Sequence, residues 1–79
     1  MLARESEDGT HVEFLRKIGP VAGVWEYDIP KQDILTRRGL IRWIHHLSQK
    51  NWITAQHICD LIELSNSYLP SGYDRPKQN

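Results

Sequence analysis

Two amphipathic helical patterns, split by Asn51-Trp52-Ile53-Thr54, fill residues 40–69 and set most of what this chain can fold into. In the first, Leu40, Ile44 and Leu47 share one helical face, with Trp43 and Ile41 on its flanks. Asp33 is the expected N-cap, Lys50 the end and Asn51 a left-handed C-cap. Gly39 costs about 1 kcal/mol relative to alanine inside a helix, so it marks either a kink or the close approach of another backbone. In the second pattern Thr54 is the N-cap and Ile53 can staple onto Ile58. Ala55, Ile58, Leu61, Ile62 and Leu69 fall on one side with Tyr68 at its edge, and Pro70 and Gly72 end the helix. The short connection makes the two helices neighbours.

Upstream, residues 10–29 admit two readings. Thr10-His11-Val12-Glu13 has the spacing of a capping box, Phe14, Leu15 and Ile18 follow as a helical stripe, and Gly19-Pro20 would stop it. The rival is a β-hairpin around Gly19-Pro20, because Val12, Phe14 and Ile18 also alternate and Val21 to Ile29 is β-rich. The helix is the leading reading. The expected fold is therefore mainly α: a small three-helix domain with room for one short strand or β-hairpin near residues 21–29. Residues 1–9 read as a flexible N-terminus, 10–69 as a single helical domain, and 70–79 as a polar C-terminal tail.

At 79 residues the chain is one small domain, and a domain of this size buries only about 60% of its unfolded surface. Its 39% apolar and 25% charged composition suits a globular protein. The net charge is zero, so no overall field draws it to nucleic acid. No apolar run approaches the roughly 18 residues of a membrane span, nor does the N-terminus resemble a signal peptide. A cytoplasmic protein with no membrane association is the expectation. The lone Cys59 fits a reducing compartment. Neutrality hides a pattern: residues 1–30 are acidic, whereas residues 31–50 set Lys31, Arg37, Arg38, Arg42 and Lys50 against Asp33 alone.

Catalytic and metal signatures are weak. His45 and His46 diverge on a helix, as do His57 and Cys59, so neither pair chelates from one element. These read instead as surface imidazoles and a partly buried, inert thiol. Gly19, Gly23 and Gly39 lack the spacing of a phosphate loop. The expectation is a non-enzyme without metal or cofactor.

Residues 54–69 resemble the helix-turn-helix of bacterial regulators, with Cys59 as the small residue between helices, Leu64-Ser65 as the turn, and Ser65-Asn66-Ser67-Tyr68-Leu69 opening the recognition helix. The resemblance implies DNA binding through Ser65, Asn66 and Ser67, with Arg37, Arg38 and Arg42 as further nucleic-acid contacts. The sequence departs from that pattern at Glu63, where the turn usually has glycine, and at Pro70, which truncates the recognition helix. Gly23-Val24-Trp25-Glu26-Tyr27-Asp28 resembles the opening strand of a PAS sensor domain, a fold for which the chain lacks the length.

The leading functional expectation comes from surface chemistry. Arg38, Arg42, His45 or His46, and Gln49 line the side of the first helix away from Leu40, Ile44 and Leu47. Gln56, Asp60, Glu63 and Ser67 form a mildly acidic outer stripe on the second. Opposite charges side by side suit docking to a protein partner or a homodimer, and Trp25 and Tyr27, on a short strand, supply aromatic anchors. The chain thus reads as a small non-catalytic interaction module. Phage and mobile-element accessory proteins that inhibit or adapt host complexes offer an analogy of size, not of residues.

Overall fold

The computed structural model describes residues 1–20 and 22–68. Three strands come first: β1 (Ala3–Glu5), β2 (His11–Lys17) and β3 (Gly23–Pro30). A 3₁₀ turn over Lys31–Ile34 leads to two helices, α1 (Arg37–Leu47) and α2 (Ala55–Tyr68). The strands form one antiparallel sheet in the order β1-β2-β3. The three-helix, mainly α expectation is overturned: the fold is mixed, with a sheet and two helices. Leu69 and the polar tail at 70–79 lie outside the described residues.

Turn chemistry explains the correction at Thr10. Gly9 takes a positive φ of 76°, a conformation that costs a side chain and suits glycine. Asp8 Oδ1 accepts from the Thr10 amide at 3.1 Å, the Thr10 hydroxyl at 2.7 Å and the Ser6 hydroxyl at 2.8 Å. Those bonds, the Thr10 hydroxyl's first among them, lower the Asp8 carboxyl to a pKa of about 2. Thr10 therefore closes a β-hairpin rather than capping a helix. Residues 1–9 are not a frayed end either, because Ala3 pairs with Phe14, Arg4 with Glu13, and Glu5 with Val12. Val12 and Phe14 are buried by strand alternation, while Ile18 is 67% exposed.

The core consists of Ala3, Val12, Phe14, Ile29, Ile34, Leu47 and Leu61, all without solvent exposure. It lies between one face of the sheet and the two helices, with Leu40, Trp43, Ile44, Ile58 and Leu64 packed at its margin. α1 begins later than Asp33: Thr36 is its N-cap, accepting the Gly39 amide at 3.1 Å. Asp33 belongs to the 3₁₀ turn, and its carboxylate accepts the Trp43 indole N–H at 3.2 Å.

α2 is rotated relative to its apolar stripe. His57, Asp60, Leu61 and Ser65 are buried, whereas Ala55 and Ile62 are exposed. The cause is unmet backbone polarity beneath the helix, which must be paired when water is removed. Asp60 Oδ2 accepts the Leu2 amide at 2.7 Å and Oδ1 accepts from Gln56 at 2.9 Å. The Ser65 hydroxyl donates to the Ile34 carbonyl at 2.9 Å. His57 Nε2 stands 2.7 Å from the Leu15 carbonyl, and its Nδ1 accepts the Thr54 amide at 3.0 Å. An acceptor at Nε2 and a donor at Nδ1 together place the ring proton on Nε2.

The Asp60 contact carries a pH prediction. The Leu2 amide, before any other cause, holds the Asp60 carboxyl below its ordinary 3.8. A depressed carboxyl stabilises the fold fully above the ordinary value and loses that contribution as pH falls through the folded one. Thermal midpoints should therefore drop as pH falls below about 4, and less steeply in Asp60→Asn. At neutral pH the same variant should be less stable by about 1–2 kcal/mol, since a charge-assisted bond becomes a neutral one. Equal acid slopes for both proteins would contradict the assignment.

Candidate protein-docking surface

Around α1 the side chains sort into three zones. Leu40, Trp43, Ile44 and Leu47 face inward. Arg38, Arg42 and His45, spaced i, i+4 and i+7, form an exposed stripe with His46 beside it. Among the described residues neither Arg38 nor Arg42 is ion-paired; the three ion pairs join Arg4 to Glu13, Arg16 to Glu26 and Lys31 to Glu5. No acidic residue occurs anywhere in α1. Ile41, next to this stripe, is 58% exposed.

Ile41 borders a groove of about 290 Å³ between the helices, lined by Leu40, Ile41, Ile44 and Ile62, with the exposed Arg37 and Asn66 beside them. Ile62 is 36% exposed. The groove exists because α2 turns His57, Asp60 and Ser65 inward, which leaves Ile62 facing α1 from the outside. On the other flank of α1, Asp33, Thr36, Arg38, Gly39, Arg42 and Trp43 enclose a polar notch of about 310 Å³. His46 packs edge-on against Trp43 with ring centres 5.3 Å apart, and Gln49 Nε2 lies 3.1 Å from His45 Nε2.

The expected partner-binding residues divide. Arg38, Arg42, His45, His46 and Gln49 are all exposed at or beside α1, as one surface. Trp25 and Tyr27 do not join it, and they do not share a face with each other. Leu15 pairs with Trp25 and Phe14 with Tyr27, so Glu26 is an extra residue and the strand bulges there. The bulge breaks the period of two. Tyr27 turns to the core, 6.1 Å from Phe14 and 5.8 Å from Trp52 between ring centres, and its hydroxyl pKa is raised chiefly by burial. Trp25 lies on the outer face of the sheet under the Arg4 guanidinium, 3.9 Å above its ring. Arg4 in turn pairs with Glu13 at 2.9 Å.

The nucleic-acid residues divide as well. Arg37, Arg38 and Arg42 are exposed, as are Asn66 and Ser67. Ser65 is buried at 2% exposure and spent on Ile34. α2 runs unbroken through Leu64-Ser65, so the turn of a helix-turn-helix is not formed. Cys59, expected at a helix contact, is exposed, and His57, expected at the surface, is buried. The acidic outer stripe of α2 shrinks to Glu63 because Asp60 points inward. The apolar spacing of α2 assigns Ile62 to the inner face, whereas it is exposed across the groove from Ile41, beside Asn66. The i, i+4, i+8 spacing of His57, Leu61 and Ser65 was the available signal.

Charge is also segregated in space. Glu7, Asp8, Glu13 and Asp28 cluster with His11 around the β1–β2 hairpin, apart from the arginines of α1. Near the base of α2, Glu5 is held below the ordinary carboxylate range by Tyr68 and then Lys31, whose ammonium is 3.2 Å away. Burial, then Glu5, pushes the Tyr68 hydroxyl up to about 12. Among the described residues no partner stands in good hydrogen-bond geometry to that hydroxyl, so its contact with Glu5 is electrostatic. These groups join β1 to α2.

Among the described residues, no three His, Cys, Asp or Glu side chains are placed to hold a metal ion. No described helix is long and apolar enough to cross a membrane. Comparison with protein-family models, curated proteins and solved structures finds no match to this chain.

Proposed function

We propose that this chain is a non-catalytic docking module that binds another protein through the outer surface of α1 and the adjoining groove. The observation that carries this reading is Ile41. A β-branched apolar side chain 58% exposed, bordered on one side by Arg38 and Arg42, which are in no ion pair among the described residues, and on the other by an apolar groove, has the make-up of an interface core with a charged rim. Ile62 across the groove enlarges the apolar patch beyond a single scattered residue.

A second reading keeps one observation in its favour: α1 holds three arginines and no acid, which suits a phosphate backbone. With at most three such contacts, its affinity should scale with salt at a slope of about −2.7 in logarithms. The docking reading explains Ile41 and the groove as well, and is preferred for that reason.

Tagged chain should retain a partner from a bacterial lysate that Ile41→Glu and the double variant Arg38→Glu/Arg42→Glu both lose. Glu7→Lys in the β1–β2 turn should leave capture unchanged. Thermal midpoints of the α1 variants should stay close to wild type, because surface changes usually alter stability by less than about 0.5 kcal/mol. A partner retained equally by all four proteins, or low-salt gel-shift binding to duplex with no protein captured, would defeat the docking reading.

A further inference from the structure

We infer that the occupant of the α1–α2 groove is an acidic amphipathic helix of a different protein, seated by apolar side chains between Ile41 and Ile62 and held by carboxylates over Arg38, Arg42 and His45. This rests on the docking reading and adds to it the chemistry of the partner.

Charge complementarity selects the sign. α1 offers Arg38, Arg42, His45 and His46 on its exposed stripe, with no acidic residue among its eleven. The groove is lined by apolar side chains, one arginine and two neutral polar residues, without a carboxylate. An acidic partner gains at Arg38 and Arg42, which are in no ion pair among the described residues, whereas a basic one meets like charge. Geometry selects the helix. The groove runs between two helices, so a ridge of apolar residues at i, i+3, i+4 and i+7 can lie along it. Such a helix carries its acids on the flanks of that ridge, within reach of the α1 stripe.

The same charges argue against a second copy. A two-fold dimer sets a patch against itself, and here that would bring Arg38 and Arg42 against their own counterparts. Head-to-tail contact between α1 and the acidic β1–β2 hairpin of another copy would match in charge. It would leave Ile41 and Ile62 without an apolar ridge to receive, because the hairpin concavity is lined by Ser6, Glu7, Asp8, His11, Glu13 and Asp28.

The test is a titration of the isotope-labelled full chain, followed residue by residue in amide spectra. The probe is a synthetic helix of about 18 residues built from Ala, Gln, Leu and Glu, with leucines at i, i+3, i+4 and i+7. Its controls replace every Glu by Lys, or every Leu by Gln. The acidic amphipathic probe should shift Ile41, Ile62 and Asn66 together with Arg38 and Arg42, saturably, and both controls should be at least about tenfold weaker. Ile41→Glu, and separately Arg38→Glu/Arg42→Glu, should each weaken the probe by about tenfold or more while their own spectra stay folded.

Silence at about 1 mM probe, the weak limit for a specific contact, would overturn the inference. So would equal binding of the Lys version, or shifts centred on the outer face of the sheet. A short DNA duplex that shifts Arg38 and Arg42 while the acidic probe is silent would overturn it in favour of nucleic acid. A silent probe alongside lysate capture that still depends on Ile41 would remove the acidic helix and leave the docking reading standing.

Discussion

Replacing Gly39 by alanine should lower the thermal midpoint by roughly 10 °C or more, although alanine is the better helix former. The local term favours alanine by about 1 kcal/mol. The packing term opposes it, and it wins. A methyl group built on Gly39 would collide with the Asp33 carbonyl oxygen and lie 3.0 Å from its carbonyl carbon. Both atoms are backbone and cannot rotate away, so the 3₁₀ turn has to move. That turn carries Ile34, which is fully buried, and Asp33, which holds the Trp43 indole. Overpacking of this kind costs about 1–3 kcal/mol or more, and displacing Ile34 adds to it. We expect a net loss of at least about 2 kcal/mol, from a total stability on the order of 4–12 kcal/mol for a chain this size. Chemical denaturation with an unchanged slope would measure it. An unshifted midpoint would show that the turn does not press on α1.

His57→Leu should cost about 3 kcal/mol, measured by the same denaturation. The imidazole is 2% exposed and joins three places in the chain: the N-cap of α2 through the Thr54 amide at 3.0 Å, β2 through the Leu15 carbonyl at 2.7 Å, and the 48–54 connection through Trp52, whose ring lies edge-on 5.6 Å away. Leucine fills the volume but leaves the Thr54 amide and the Leu15 carbonyl without this partner. Both bonds are part-buried, and a group left unmet away from water costs about 1–3 kcal/mol. His57→Gln, which can restore one of the two bonds, should fall between wild type and leucine. A leucine variant as stable as wild type would show that water replaces both bonds.

How much of this could be read from residues alone depends on which physics was local. The α1–α2 region was legible because helix signals are local: Thr54 does begin α2, and Leu40, Ile44 and Leu47 do turn inward. Gly39 was legible as a choice between kink and close approach, and the Asp33 carbonyl decides for approach. The sheet was not legible as such. Val12, Phe14 and Ile18 fit two periods at once, and the matter was settled by Asp8-Gly9 upstream and by Ala3 pairing with Phe14. β1 is three residues long, too short to show alternation, and it acquires structure only from its neighbour.

The candidate surface shows the same division. The Arg38, Arg42, His45 stripe was visible because helix spacing alone aligns it. Trp25 and Tyr27 do not share a face because a bulge at Glu26 turns Trp25 outward while Tyr27 stays with Ile29 on the core side, a register event that alternation does not announce. Apolar spacing alone puts Ile62 on the inner face of α2 and Asp60 and Ser65 outside, because it sets that face by hydrophobicity. The helix is instead turned by backbone groups at Leu2, Leu15 and Ile34 that need partners. Those contacts span 58, 42 and 31 residues, and no local pattern encodes them.

The central claim is that α1 and the groove beside it form the working surface. Hydrogen–deuterium exchange of the full chain, alone and saturated with its captured partner, tests that claim most directly. Added protection should be confined to Arg37–Leu47 and the Ile62–Asn66 side of α2, with the β1–β2 hairpin unchanged. Protection centred on β3 or on the hairpin, with α1 exchanging as in the free chain, would contradict it.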